Sequence, residues 1–136
     1  MSPIPSTTDT LTIREMCEAF AVTPRTLRFY EAKELLFPIR KGTARLFTKQ
    51  DRARLLLILR GKRFGFSLED IRQLLDMYDR DGSNEAQLQR TYDLGCDRLA
   101  QMEAQRAELD EAIADLKIQL AEGAASLAAF RRAAAE

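Results

Sequence analysis

Hydrophobic and polar residues follow two different patterns along this chain, and the pattern changes near residue 84. Before that point, short apolar stretches at helical spacing are separated by turn-forming residues. After it, apolar residues recur alternately every four and three positions for more than four heptads. The first pattern predicts short helices packed around a core, and the second predicts one long helix with a narrow apolar seam. We therefore predict a mainly α-helical protein with a compact N-terminal module and a long C-terminal helix.

Capping residues mark the helices of the N-terminal module. A Ser or Thr hydroxyl can accept a hydrogen bond from a backbone N–H of the first turn, and three of the four candidates have an acidic residue three positions later. The fourth candidate is followed at once by proline, which suits the first helical position. This spacing predicts helices that follow Thr12, Thr23, Thr48 and Ser67 and end near Phe20, between Lys33 and Leu35, at Phe64 and near Tyr78. In the third helix, the predicted core residues are Leu55, Leu56, Ile58 and Leu59.

The second of these helices is short and basic on its predicted outer face. Arg25, Arg28 and Tyr30 occur there within about a turn and a half. Guanidinium groups and a phenol suit phosphates and base edges in a DNA groove. The alternative for this stretch alone is a solvated helix with salt bridges to Glu31 and Glu34. Two short helices joined by a few residues, the second outwardly basic, form a helix-turn-helix pattern.

Residues 36–47 predict a β-hairpin with a basic tip. Apolar residues flank a Lys-Gly-Thr turn at 41–43, and Arg40 and Arg45 lie on the two arms. Such a wing beside a helix-turn-helix can reach the DNA backbone or the minor groove. A plain solvated hairpin is the alternative, which the basic residues make less favourable.

The long helix is predicted to run from Glu85 to Ala121, roughly 55 Å at 1.5 Å per residue. Its seam is too narrow to be buried by one small module, so it needs a partner helix, and a homodimer is the simplest solution. Gly95 and Arg106 interrupt the seam locally. Gly123 is predicted to break the helix, and the Ala-rich tail then folds back as a short helix. The predicted dimer interface consists of Leu88, Tyr92, Leu99, Met102, Leu109, Ile113, Leu116 and Leu120.

The formal net charge of zero conceals an asymmetry between the two modules. Residues 1–83 contain 15 Lys/Arg and 11 Asp/Glu, a net charge of +4, whereas residues 84–136 contain 6 and 10, a net charge of −4. Residues 14–63 alone carry 13 basic and 5 acidic side chains, or +8. A basic N-terminal module joined to an acidic helix is compatible with nucleic-acid binding by the first part.

The composition argues against an enzyme, a resident cofactor and a membrane protein. The chain has no histidine, the commonest acid–base residue and metal ligand near neutral pH. We find no nucleophile–base pair and no phosphate-cradling glycine loop. Cys17 and Cys96 match no zinc spacing and are interpreted as small, half-buried apolar residues. No apolar run approaches the ~20 residues of a membrane span, and the N-terminus lacks the apolar core of a signal peptide, so we expect a cytoplasmic protein.

The order of elements and three motifs resemble the MerR family of bacterial transcription regulators. The motifs are Thr-Leu-Arg-Phe-Tyr-Glu at 26–31, Arg-Leu-Phe at 45–47 and Gly-Phe-Ser-Leu-Glu-Asp-Ile at 65–71. The similarity extends from about Leu11 to Tyr78, and the long helix matches in kind. The stretch 52–67 is also similar to the sub-group that regulates leucine and isovalerate catabolism in proteobacteria.

This resemblance implies a winged helix-turn-helix dimer joined by an antiparallel coiled coil of the long helices. Family members bind palindromic operators in promoters with an overlong spacer, and they bend and untwist the DNA to realign the promoter for RNA polymerase. By position, Arg28, Phe29 and Tyr30 match recognition-helix contacts, Arg45 and Phe47 match wing positions, and Lys62 matches a backbone contact. Phenylalanine at 29 and 47 replaces tyrosines common in the family and removes two hydroxyls. Together with the pattern above, the predicted DNA-binding set is Thr23, Arg25, Thr26, Arg28, Phe29, Tyr30, Arg40, Lys41, Arg45, Phe47 and Lys62.

The predicted organisation is a flexible leader at 1–10, the DNA-binding module at 11–83, the dimerisation helix at 84–122 and a short tail at 123–136. Metal sensing is disfavoured, because Cys96 lies well inside the long helix and no cysteine follows it. A small-molecule effector is left open. Three hypotheses remain: a sequence-specific dimeric regulator, which we favour; an architectural DNA-bending protein with little sequence preference; and a coiled-coil adaptor whose basic face binds an acidic protein.

Overall fold

The computed structural model describes residues 9–79 and 85–136 of the chain. It divides into two compact units, residues 1–94 and 95–136. Most of the predicted leader and the predicted module boundary near residue 83 lie outside the described residues. The elements are β1 (Leu11–Thr12), α1 (Ile13–Phe20), α2 (Pro24–Ala32), β2 (Ile39–Lys41), β3 (Ala44–Phe47), α3 (Lys49–Phe64), α4 (Leu68–Asp79) and α5 (Glu85–Ala135).

The four predicted helix starts are confirmed, and each has its cap. Thr12 accepts a hydrogen bond from the Glu15 N–H at 3.2 Å, and Glu15 accepts one from the Thr12 N–H at 3.0 Å, which completes a capping box. The pKa of Glu15 is lowered, mostly by the hydrogen bond to the Thr12 backbone and to a smaller extent by the one to the Thr12 side chain. Thr48 and Asp51 form the same box at α3. Thr23 at α2 and Ser67 at α4 accept from the N–H three residues later, at 3.2 and 3.1 Å.

Left-handed residues end two helices and follow a third. Gly65, with φ of 81°, stops α3 directly after Phe64, the predicted end of that helix. Ala21 ends α1 with φ of 54°, and Glu34 has φ of 59° just after α2. These two non-glycine residues turn the chain sharply on both sides of α2, so that its ends are set by backbone geometry that most side chains disfavour.

A three-stranded antiparallel sheet in the order β1-β3-β2 closes the first unit. β2 and β3 form the predicted hairpin, with Arg40 opposite Arg45 and Gly42 at a φ of 64° in the turn. β1 adds a strand that the hairpin prediction did not include, because Leu11 pairs with Phe47. β3 of the predicted wing is therefore hydrogen-bonded along both edges, to β1 on one side and to β2 on the other.

The core of the first unit is built from residues of α1, α2, α3, α4 and β3 and of the segment after α2. Leu56, a predicted core residue, is instead 48% exposed, because it follows the buried Leu55 by one position and so lies about 100° further around α3. Leu59 is half-buried. The fully buried apolar residues are Met16, Leu27, Tyr30, Leu35, Leu36, Phe47, Leu55, Ile58, Ile71 and Leu75.

α5 is one uninterrupted helix of 51 residues. The predicted break at Gly123 and the folded-back tail are wrong, because the helix continues through Gly123 to Ala135. A single glycine costs a helix only about 1 kcal/mol relative to alanine, and the alanine-rich residues after it favour helix. No residue of α5 is buried within one chain.

Replacing Gly61 by alanine tests the packing between α3 and α4. A Cβ at this buried glycine would lie 2.8 Å from Cγ1 of the buried Ile71, which is stiff and branched. We expect Gly61→Ala to lower the free energy of unfolding by about 1–2 kcal/mol, because overpacking exceeds the gain in helix propensity. Gly123→Ala is the matched control, since nothing lies within 4 Å of its Cβ position, and it should not destabilise the protein. Equal effects of both variants in urea unfolding would contradict this close approach.

Candidate nucleic-acid interface

Arg25 and Arg28 extend from the outer face of α2 into solvent. Neither forms an ion pair with any of the described residues. Leu27 is fully buried beneath them, so one side of this nine-residue helix packs and the other stays charged. Two unpaired guanidinium forks on a short exposed helix are free to bind phosphates or base edges.

Thr23 and Thr26 shape the N-terminal end of the same helix. Their hydroxyl oxygens are 2.9 Å apart, and Thr23 also accepts from the Thr26 N–H. Thr23 is exposed and Thr26 is half-buried. The N-terminus of a helix carries a partial positive charge, so an anion beside these threonines would be favoured.

Tyr30 is not on the outer face of α2, so its predicted placement there is wrong. Its side chain is 1% exposed and belongs to the core. It follows Leu27 by three positions, and helical residues three apart lie on one face. Phe29, the preceding residue, is 44% exposed, and its ring lies 5.6 Å from that of Tyr30 and 5.7 Å from the Lys33 ammonium. Phe29 is thus the accessible aromatic residue of this motif.

Phe47 is likewise a core residue rather than a wing contact. It is 0% exposed and pairs with Leu11 of β1. Side chains two apart in a strand share a face, so Arg45 and Phe47 both point from β3 toward the helices. Phe47 fills the core on that face, whereas Arg45 reaches the edge of α2.

Glu31 links the wing to the last turn of α2. Arg45 Nε donates to one of its oxygens at 2.6 Å, and Arg40 Nη2 and Nε donate to the other at 2.7 and 3.1 Å. Partial burial would raise the pKa of Glu31, but the hydrogen bonds and charges of Arg45 and Arg40 outweigh it, so the pKa is lowered. Both wing arginines are therefore partly occupied within the protein. Lys41, at the end of β2, is exposed and forms no ion pair with the described residues.

A buried arginine, which the sequence analysis missed, holds the segment after α2. Arg54 of α3 donates to the Leu35 carbonyl at 2.8 Å and to Asp79 at 2.7 Å, and its guanidinium lies 5.2 Å from the Phe37 ring centroid. Arg72 of α4 donates to the Lys33 carbonyl at 2.7 Å. The sequence feature that could have identified Arg54 is its helical spacing from the core positions of α3, where a basic residue is unusual.

The remaining predicted residues lie apart from these contacts. Lys62 is exposed in the last turn of α3, beside the exposed Arg63. Cys17 is half-buried in α1 and Cys96 is exposed in α5; both are free thiols. Over residues 9–79 and 85–136, no helix is long and apolar enough to cross a membrane, and no three His, Cys, Asp or Glu side chains gather where they could hold a metal ion.

The predicted seam of α5 is exposed along its whole length. Its apolar residues also continue beyond the predicted end, because Leu127 and Phe130 extend the same spacing of four and three through Gly123. The exposed seam residues are Leu88, Tyr92, Leu99, Met102, Leu109, Ile113, Leu116, Leu120, Leu127 and Phe130.

Comparisons with known proteins agree with this architecture. A family described as "MerR, DNA binding" matches residues 52–118, and one described as "MerR HTH family regulatory protein" matches residues 11–78. The HTH-type transcriptional regulator ZntR of Escherichia coli (strain K12) is 36% identical over 99 residues, covering 71% of this chain and 69% of ZntR.

Two solved structures share the fold at 26% sequence identity. The first is HiNmlR, a MerR family regulator lacking the sensor domain, bound to promoter DNA; its TM-score is 0.59, over 76% of this chain and 78% of that one. The second is PbrR691 from Ralstonia metallidurans in complex with lead(II); its TM-score is 0.60, over 79% and 85%. The predicted fold, a winged helix-turn-helix followed by a long helix, is confirmed.

The neighbouring aromatic residues of α2 should differ sharply when truncated. We expect Tyr30→Ala to lower the free energy of unfolding by about 3–5 kcal/mol, because it empties a core site, whereas the half-exposed Phe29→Ala should cost about 1 kcal/mol or less. Urea unfolding at neutral pH measures both. Similar losses for the two variants would contradict the assignment of Tyr30 to the core and of Phe29 to the surface.

Proposed function

The chain belongs to the MerR family of DNA-binding transcription regulators, and from this premise we propose that two copies bind a palindromic promoter operator through α2 and the wing. The single observation that carries the proposal is the pair of exposed, unpaired guanidinium groups of Arg25 and Arg28 on α2. A recognition helix needs such donors where they can enter a major groove. HiNmlR, a MerR family regulator of similar fold, was solved bound to promoter DNA, which supports the same type of target.

Further basic groups extend the proposed contact from the groove to the backbone. Lys41 at the wing and Lys62 at the end of α3 are exposed, and the N-terminus of α2 suits a phosphate. Arg40 and Arg45 keep donors beyond those that Glu31 occupies, since a guanidinium has five. We assign these groups to positioning the protein on DNA, and Arg25 and Arg28 to reading the base edges.

The second part of the proposal is a homodimer formed by α5 in an antiparallel coiled coil. A helix of 51 residues with no buried side chain of its own leaves an apolar stripe that only another molecule can cover. One such stripe on each chain makes a second copy the simplest partner. A two-fold dimer would present two α2 helices to two half-sites, which requires a palindromic operator.

We further propose that binding distorts the promoter and thereby controls access by RNA polymerase. Bending and untwisting cost on the order of several kcal/mol, which phosphate contacts must offset. The similarity of residues 52–67 to regulators of leucine and isovalerate catabolism supports that group of promoters as targets. An architectural protein with little sequence preference is the second candidate, and the basic wing is the feature that favours it.

A metal effector is not part of this proposal. PbrR691 was solved with lead(II). In the present chain, Cys17 lies partly covered in α1 and Cys96 is exposed in α5, so each chain offers one accessible thiol. Structural thiolate sites use about three or four ligands, which these residues do not supply within a chain.

Arg28→Ala tests the recognition helix directly. We expect it to weaken binding to the protein's own upstream promoter by about 1–3 kcal/mol and to relax specificity at one base position. Fluorescence anisotropy against that duplex and a scrambled one, at several salt concentrations, measures both effects. Arg132→Ala, which removes the same exposed charge near the end of α5, should leave the specificity ratio unchanged. Full-strength, fully specific binding by Arg28→Ala would contradict the assignment of α2.

Ile113→Asp tests the dimer. Ile113 lies in the seam and is 42% exposed, whereas Ile118 lies on the opposite face and is 55% exposed. A carboxylate in the seam would be buried without a partner, so we expect Ile113→Asp to give monomers at micromolar concentrations. Ile118→Asp should remain dimeric. Sedimentation equilibrium distinguishes the two, and a dimeric Ile113→Asp variant would exclude the seam as the interface.

A further inference from the structure

Glu31 is the one carboxylate that contacts both arms of the wing from the proposed recognition helix. It lies in the last turn of α2, and its side chain is 17% exposed. One oxygen is bound by Arg40 of β2 and the other by Arg45 of β3. Because these arginines face each other across the hairpin, one side chain fixes both strands relative to α2.

This arrangement is unexpected at a surface that binds a polyanion. A carboxylate there repels phosphates and withdraws two positive groups from them, so charge alone would favour its loss. Its geometry is that of a tight, charge-assisted contact, with donor–acceptor distances of 2.6 and 2.7 Å. The Glu31 and Arg45 side chains are only 17% and 21% exposed, which strengthens their attraction relative to a fully exposed pair, whereas Arg40 is 55% exposed.

We propose that Glu31 is a positioning residue for DNA binding, which holds the wing at a set position beside α2 so that both elements meet one DNA segment in register. Glu31 should then raise the affinity for a duplex that fits both α2 and the wing. It should lower the affinity for DNA that is bound through charge alone. The inference rests on the proposed function, because it assumes that α2 and the wing act on the same duplex.

The positioning of the wing by Glu31 and the repulsion of phosphates by its charge change DNA affinity in opposite directions, so an experiment can separate them. In Glu31→Gln the negative charge and both ion pairs disappear, although the shape of the side chain is retained. Affinity for the scrambled duplex should rise, because the surface becomes more positive, whereas affinity for the promoter duplex should fall, because the wing is no longer fixed. The ratio of the two affinities should fall by about five- to ten-fold, which lies within the range of couplings measured between directly contacting groups.

Glu34→Gln is the matched control. Glu34 lies three residues further on, is exposed, and forms no ion pair with any of the described residues. Its change removes the same charge near the same surface without releasing an arginine, so both affinities should rise together and their ratio should stay within about two-fold. A variant that was merely less stable would instead lose affinity for both duplexes in parallel.

The test is fluorescence anisotropy of the full-length protein with the upstream promoter duplex and with the scrambled duplex, at a temperature where circular dichroism shows every variant folded. Equal ratios for Glu31→Gln and Glu34→Gln, with wild-type preference intact, would overturn the role of Glu31 and leave the proposed function standing. A wild type without preference for its promoter would overturn the proposed function and this inference with it. Should Glu31→Gln fail to fold, Arg45→Gln breaks the same link from the wing and must lower the ratio.

Discussion

The buried guanidinium of Arg54 is the constraint on which the DNA-binding module depends. A charge that is 5% exposed must be paired and hydrogen-bonded, or its burial would be too costly. Arg54 meets that requirement with the Leu35 carbonyl and the Asp79 carboxylate, at 2.8 and 2.7 Å. These partners belong to the segment after α2 and to the last residue of α4. Nearby, the almost fully buried Asp51 accepts from the Phe37 N–H at 3.0 Å while it caps α3. Contacts from α3 therefore fix the chain where it leaves α2, the proposed recognition helix.

Because the chain after α2 is held in place, one face of α2 can pack in the core while the opposite face stays available for binding. Leu27 and Tyr30 fill the core, so Arg25 and Arg28 can remain unpaired at the surface without loss of packing. Glu31 extends the same rigid connection to the wing. The excess of positive charge in residues 14–63, +8 from 13 basic and 5 acidic residues, is thus concentrated on the module that we propose binds DNA. The acidic residues after position 83 balance this charge only in the net charge of the whole chain.

Local signals in the sequence were sufficient for helix starts and for the hairpin, whereas side-chain orientation and tertiary pairing were not. Thr12, Thr48 and Ser67 cap helices through bonds to residues three positions away, so the pattern alone predicts them. Tyr30 was assigned to DNA because its phenol suits a groove and its position matches the family, and Phe47 because its position matches the family's wing. Their faces are instead set by Leu27 on α2 and by the pairing of Phe47 with β1. The buried role of Arg54 depends on partners 19 and 25 residues away, which no local pattern specifies. The helix break assigned to Gly123 gave one glycine more weight than its small cost justifies.

The most direct test of the account is a hydroxyl-radical footprint of the wild-type protein on its own upstream promoter DNA. Two joined copies that each insert α2 into a major groove predict two protected half-sites related by a dyad, on one face of the duplex, with centres separated by whole helical turns of about 34 Å. Protection should disappear on a scrambled fragment at the same salt concentration. A single protected site, or uniform protection of both fragments, would contradict a dimeric regulator that recognises a specific sequence.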